Sequence, residues 1–90
     1  MPSLAFAATV AEPSNVRFSV QARAEPGVLP RLVELFAKRG IVPERWQSAV
    51  LRPEMRLSVD VEVAGLERDI VDYVANCMRQ IVGVELVLAL

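Results

Sequence analysis

Between Met55 and Val63 every second residue is apolar. Met55, Leu57, Val59, Val61 and Val63 alternate with Arg56, Ser58, Asp60 and Glu62, the period-two pattern of a strand with one face buried and one in water. Such a strand cannot stand alone, because its backbone edges need paired strands and its apolar face needs a cover. The rest of the chain has to supply both.

It supplies them in a definite order. Val16, Phe18, Val20 and Ala22 alternate with Arg17, Ser19, Gln21 and Arg23, giving an earlier strand of the same kind. From Gly27 the period lengthens: Val28, Leu29, Leu32, Val33, Leu35 and Phe36 fall on one side of a helix, with Arg31, Glu34 and Lys38 outside. Lys38-Arg39-Gly40 closes that helix, with cations in its last turn and glycine at a left-handed cap. Glu44–Leu51 reads as a strand, joined to Met55–Val63 by an Arg52-Pro53-Glu54 turn in which proline presets φ. After Ala64-Gly65 a second helix is expected to about Gln80. Its stripe is Leu66, Ile70, Val74, Cys77, Met78 and Ile81, with Glu67 and Asp69 in the first turn. Gly83 ends that segment, and Val84, Leu86 and Leu88 belong to a last strand.

The order β-α-β-β-α-β, with right-handed crossovers, specifies an α+β ferredoxin-like sandwich. Two helices share one face of a four-stranded antiparallel sheet, and the second and fourth strands form its edges. Each half ends its helix at a glycine, Gly40 or Gly83, as a weak internal repeat.

Composition narrows the chemistry. Ninety residues, 53% hydrophobic and 23% charged, suit one globular domain. A formal charge of −1 gives no electrostatic case for nucleic acid or an anionic membrane, and no apolar run reaches the length of a membrane span. One cysteine, Cys77, excludes an intrachain disulfide and a two-cysteine metal or redox motif. The absence of histidine removes the usual general base and the commonest metal ligand. The reading therefore expects no catalytic residues, no metal and no cofactor. Residues 1–15 read as a loosely ordered tail before the domain at 16–90. Leu4–Ala11 is apolar, but no Lys or Arg precedes it as in a secretory leader, so the expected location is cytoplasmic.

One stretch admits two readings. In "AEPGVLPRL", Ala24–Leu32, the glycine at a strand-to-helix junction serves a tight turn, or it opens the first helical amides to a small anion. Pro30 then falls in the first helical turn, where its missing N–H matters little.

A strand, a "PGVL" turn and an apolar helix ending in "RGI" resemble the ACT domain. Within that group, "ARAEPGVLPRLVELFAKRGIVPERWQSAV" looks most like the small regulatory subunits of acetolactate synthase, whose first helix carries "GxLxRxxxLFxxRG". Gly27, Leu29, Arg31, Leu35, Phe36, Arg39 and Gly40 match that motif. The resemblance implies a non-catalytic regulatory subunit that docks on a larger biosynthetic enzyme, or alternatively a stand-alone dimeric module binding an amino-acid effector. It implies that Gly27, Val28 and Leu29 amides hold the effector's carboxylate. Ile41, Val42 and Pro43 would be contributed by a second copy. Where such sites carry Asp or Asn, this chain has Ala24, which cannot pair with an ammonium; Glu25 is the neighbouring acid. A dimer or higher homo-oligomer is expected through the Glu44–Leu51 edge, with Trp46, Ser48 and Val50 at the contact. Trp46 is read equally as an interface anchor and as a cover for one end of the core.

Overall fold

Alternation along the first strand decides where the core forms. In the computed structural model, which describes residues 15–90, β1 runs Asn15–Arg23. Its Phe18, Val20 and Ala22 are completely buried, while Arg17 and Arg23 are exposed. The expected tail lies outside the described residues apart from Asn15, the first residue of β1. The other elements are α1 (Val28–Lys38), β2 (Arg45–Leu51), β3 (Arg56–Ala64), α2 (Arg68–Arg79) and β4 (Val84–Ala89). The sheet order is β2-β3-β1-β4 with every pairing antiparallel, so the expected edges are the edges found.

One core joins the sheet to both helices. Leu57, Val59, Val61 and Val63 from β3 lie opposite Ala22, Val20, Phe18 and Val16 of β1. Val28, Leu32, Leu35 and Phe36 of α1 and Val71, Val74, Ala75 and Met78 of α2 close over them. No polar or charged side chain is buried among the described residues, so the core is held by apolar packing alone.

Several expectations need correction. Met55 is in the turn rather than the strand, with φ of 56°, and is about half exposed; β3 begins at Arg56. That turn spans Arg52 to Met55, and the Arg52–Pro53 peptide is cis. Glu44 precedes β2, although its N–H still donates to the carbonyl of Glu62. On α2 the buried stripe is rotated by one residue: Val71 and Ala75 face the core, Ile70 is exposed and Cys77 half-buried. A three-residue unwound entry, Gly65–Glu67, delays the helix to Arg68 and resets its phase. Val33 is likewise 51% exposed, because six apolar positions are too many for one covered face of α1. Gly83 does not cap α2. It occupies the third position of a turn closed by the Val84 N–H donating to Ile81 O, where its φ of 100° is a glycine conformation.

Gly40 does cap α1. Its N–H donates to Ala37 O, and the Ile41 N–H reaches back to Phe36 O with Gly40 at φ 67°, the paired bonds of a Schellman motif. The motif turns Ile41, Val42 and Pro43 back across the end of the helix.

Candidate functional site

The Pro26-Gly27 turn is an ordinary one. The Val28 N–H donates to Glu25 O at 3.2 Å, and Gly27 has φ −80° and ψ −11°, the third position of a type I turn with proline at the second. Any residue adopts that conformation, so the tight turn does not require glycine. What fills the space beside Gly27 is Arg31, whose Nη1 donates to Gly27 O at 2.9 Å. A Cβ on Gly27 would come within 2.2 Å of that nitrogen. The bond within the turn already engages one of the three expected amides, that of Val28. Arg31, read from the sequence as an outward residue, brings a cation to the start of α1.

Beside this turn is a cavity of about 310 Å³, lined in part by Ala24, Glu25, Leu29, Val50 and Met55. Glu25 borders it, but its carboxylate is paired with Arg23 at 3.2 Å, both side chains about half exposed. Ala24 also borders it and offers no hydrogen-bonding side chain.

The second cluster forms at the other end of α1. Val33, Phe36, Ile41, Val42, Pro43 and Trp46 line an apolar groove of about 430 Å³. Val42 is 83% exposed within it. Phe36 joins core to groove: its ring makes edge contacts with Phe18 at 6.1 Å and with Trp46 at 5.9 Å between centroids. Trp46 lies opposite Val61 on the helix side of the sheet. It therefore covers one end of the core, one of its two sequence readings, and also lines the groove. Ser48 and Val50 share that side, opposite Val59 and Leu57, yet remain exposed.

Within one chain, then, the expected effector residues do not meet. Glu25 and Leu29 belong to the loop cavity near the end of β2, whereas Ile41–Pro43 belong to the groove near its beginning. Val33 and Ala37 in the groove and Met55 in the loop cavity were missed by sequence reasoning. Val33 and Ala37 are four residues apart on one helix face, which was the available signal. Met55 gave none, because its apolar character fitted the strand pattern.

Arg39 ties the two helices together. Its Nη2 donates to the Tyr73 hydroxyl at 3.1 Å and the Cys77 sulfur at 3.5 Å, its Nη1 to Leu35 O, and its guanidinium lies over the Tyr73 ring at 5.0 Å. The Tyr73 hydrogen bond, ahead of smaller contributions, pushes the guanidinium's pKa up. Among the described residues, no group of three or more His, Cys, Asp or Glu side chains is placed to hold a metal. Nor is any helix there long and apolar enough to cross a membrane.

Residues 9–89 match the family model of the ACT-like domain. The chain belongs to the ACT-like domain family. Solved structures agree with the fold of this ACT-like domain. The ACT domain of a GTP pyrophosphokinase from Chlorobium tepidum superposes with a TM-score of 0.73 at 10% identity, covering 84% of this chain and 96% of that one. An uncharacterized protein from Thermotoga maritima gives 0.70 at 13% identity, covering 84% and 92%. The C-terminal domain of the MgtC protein from Mycobacterium tuberculosis gives 0.69 at 13% identity, covering 89% and 88%. No curated protein sequence matches the chain.

Proposed function

We propose that this ACT-like domain is a non-catalytic regulatory subunit that pairs through β2 and docks on a larger biosynthetic enzyme. The observation that carries the reading is an exposed apolar groove, with Trp46 in it, beside an edge strand whose outer side is unpaired among the described residues. Exposed apolar surface next to an open sheet edge is what protein association buries. The motif of the first helix makes acetolactate synthase, in branched-chain amino-acid synthesis, the candidate enzyme. The test is titration of this protein into a matched large subunit. Turnover should rise with saturation, and Val42→Asp, a change at an exposed position, should abolish the rise. An unchanged turnover with the wild type refutes the docking.

A second reading, a stand-alone dimer that binds an amino acid, is favoured by the placement of the two cavities. An antiparallel β2–β2 pairing sets the beginning of one strand against the end of the other. It brings the groove of one copy beside the loop cavity of the next. The composite would take an aliphatic side chain in the groove and a carboxylate near Arg31 and the first amides of α1. Nothing equivalent serves the ammonium, since Ala24 has no acceptor side chain and Glu25 is paired with Arg23. Docking is accordingly the leading function. Calorimetry against valine, leucine and isoleucine should show weak or no heat; saturable binding near micromolar Kd, about −8 kcal/mol, would promote the second reading.

A further inference from the structure

On the side of the sheet turned away from the helices, β4 carries a row of leucines. Leu86 lies opposite Gln21 and Leu88 opposite Ser19, while Leu90 exchanges both backbone hydrogen bonds with Arg17. Arg17, Ser19 and Gln21 alternate with the buried Phe18 and Val20, so the three leucines share the open face. Their exposures are 48%, 45% and 62%. A register shift between Gln21 and Ala22 sets this parity, sending Val87 to the core and the leucines outward. An antiparallel sheet with one wet face normally puts polar residues there. β1 and β3 follow that rule and β4 breaks it.

We propose that the open face is covered by a second copy of this chain, leucine row against leucine row. The arrangement follows from a two-fold axis running across the strands at the level between Leu86 and Leu88. That operation places Leu86 over the second copy's Leu88, and the reverse. It also places Glu62 over the second copy's Arg56, whose guanidinium is paired with Glu85 of its own chain, and Asp60 over its Ser58, because these residues stand at mirrored levels of β3. Arg17 comes over Arg23, but each is beside a carboxylate: Glu62 across the strand pair for one, Glu25 in an ion pair for the other. The face is therefore complementary to itself along the leucine row and between Glu62 and Arg56, while Arg45 comes over Leu51 of the second copy. Four strands about 4.8 Å apart and roughly seven residues long span a projected patch of about 450 Å². A specific interface buries roughly 800 Å² of accessible surface per partner, so the whole open face, and not the leucine row alone, has to be covered.

This contact is separate from pairing through β2, and the two are geometrically compatible. Ser48, the middle residue of β2, falls between the levels of Gln47 and Ala49, which are the levels of Leu88 and Leu86 across the sheet. A β2–β2 axis through Ser48 meets the face-to-face axis at a right angle. Perpendicular two-folds that intersect close into a tetramer in which neither of these two contacts propagates.

The experiment is sedimentation equilibrium on the full chain at high micromolar concentration, with circular dichroism to verify folding. The wild type should be a tetramer. Leu86→Lys/Leu88→Lys, at exposed positions, should reduce it to a dimer, and the milder Leu86→Ser/Leu88→Ser should weaken association at least tenfold. Single prolines at Gln47 and at Ser48, one of which removes only an outward N–H, should also give a dimer. A wild type that is dimeric and becomes monomeric in the leucine variants keeps the face contact and refutes the β2 pairing. Leucine variants with the mass of the wild type overturn the proposal.

Discussion

Gly83 and Gly40 form a natural pair for separating backbone strain from packing. Both have positive φ, 100° and 67°. A Cβ on Gly40 would meet nothing within 4 Å, whereas one on Gly83 would stand 2.9 Å from Cγ2 of Val28, the first residue of α1. Gly40→Ala should therefore destabilise only through the left-handed backbone, by about 1–2 kcal/mol. Gly83→Ala carries a similar backbone penalty at a less tolerant φ, plus overpacking of about 1–3 kcal/mol against a fully buried valine. The total, about 2–5 kcal/mol, is a large share of the roughly 4–11 kcal/mol available to a domain of this size. At about 4–8 °C per kcal/mol, the second variant should melt well below the first. Urea unfolding at one fixed protein concentration measures the difference, since association adds to apparent stability. Val28→Ala removes the opposing methyl, so the double variant Gly83→Ala/Val28→Ala should recover about 1 kcal/mol or more relative to additivity. Equal losses in the two glycine variants, or a cycle with no coupling, would refute the assignment of Gly83 to packing against α1.

Two further predictions follow from the ends of α1. Gly27→Asp should change stability by no more than about 1 kcal/mol, because its φ of −80° suits any residue and the Arg31 side chain in the way is flexible; a loss above 2 kcal/mol in urea titration would contradict the type I turn. Arg39→Ala, by removing the donor beside Cys77, should change the rate at which a thiol reagent modifies Cys77, whereas Glu34→Ala at the exposed neighbouring turn should not; equal rates in the two variants would show that the Arg39 contact has no hold on the sulfur.

The strands and their order were legible because period two is a strong local signal, and Phe18, Val20, Val59 and Val61 all obey it. The left-handed cap at Gly40 was legible for a similar reason, since Lys38-Arg39-Gly40 satisfies the last carbonyls and the dipole together. What failed were phases and boundaries set by tertiary contacts. Ile70 and Val71 are both apolar, and only the start of α2 at Arg68 decides which of them faces the sheet. Met55 fits the alternation of β3 as well as any residue in it, yet the turn from Arg52 claims it. The register shift on β4 is invisible in Val84-Glu85-Leu86-Val87-Leu88, where either parity places apolar residues inward.

The candidate site was harder to read because its parts were assigned by residue type before their surroundings were known. Gly27 attracted attention as a bare backbone position, but its φ is one that any residue adopts, and the nearby space is taken by a guanidinium four residues later. That changes what the loop offers an anion. Free amides act through the helix dipole, whose influence fades within the first turn; a flexible cation such as Arg31 acts over a longer reach and swings aside at little cost. A carboxylate approaching α1 would meet Arg31 first, and the Gly27 carbonyl would lose a hydrogen bond as that side chain turned to it. The glycine thus matters less as a surface for a ligand than as the space into which Arg31 folds when the loop is empty. Arg31→Ala should then weaken any carboxylate binding at this loop more than Gly27→Ala does, and calorimetry with the branched-chain amino acids can rank the two.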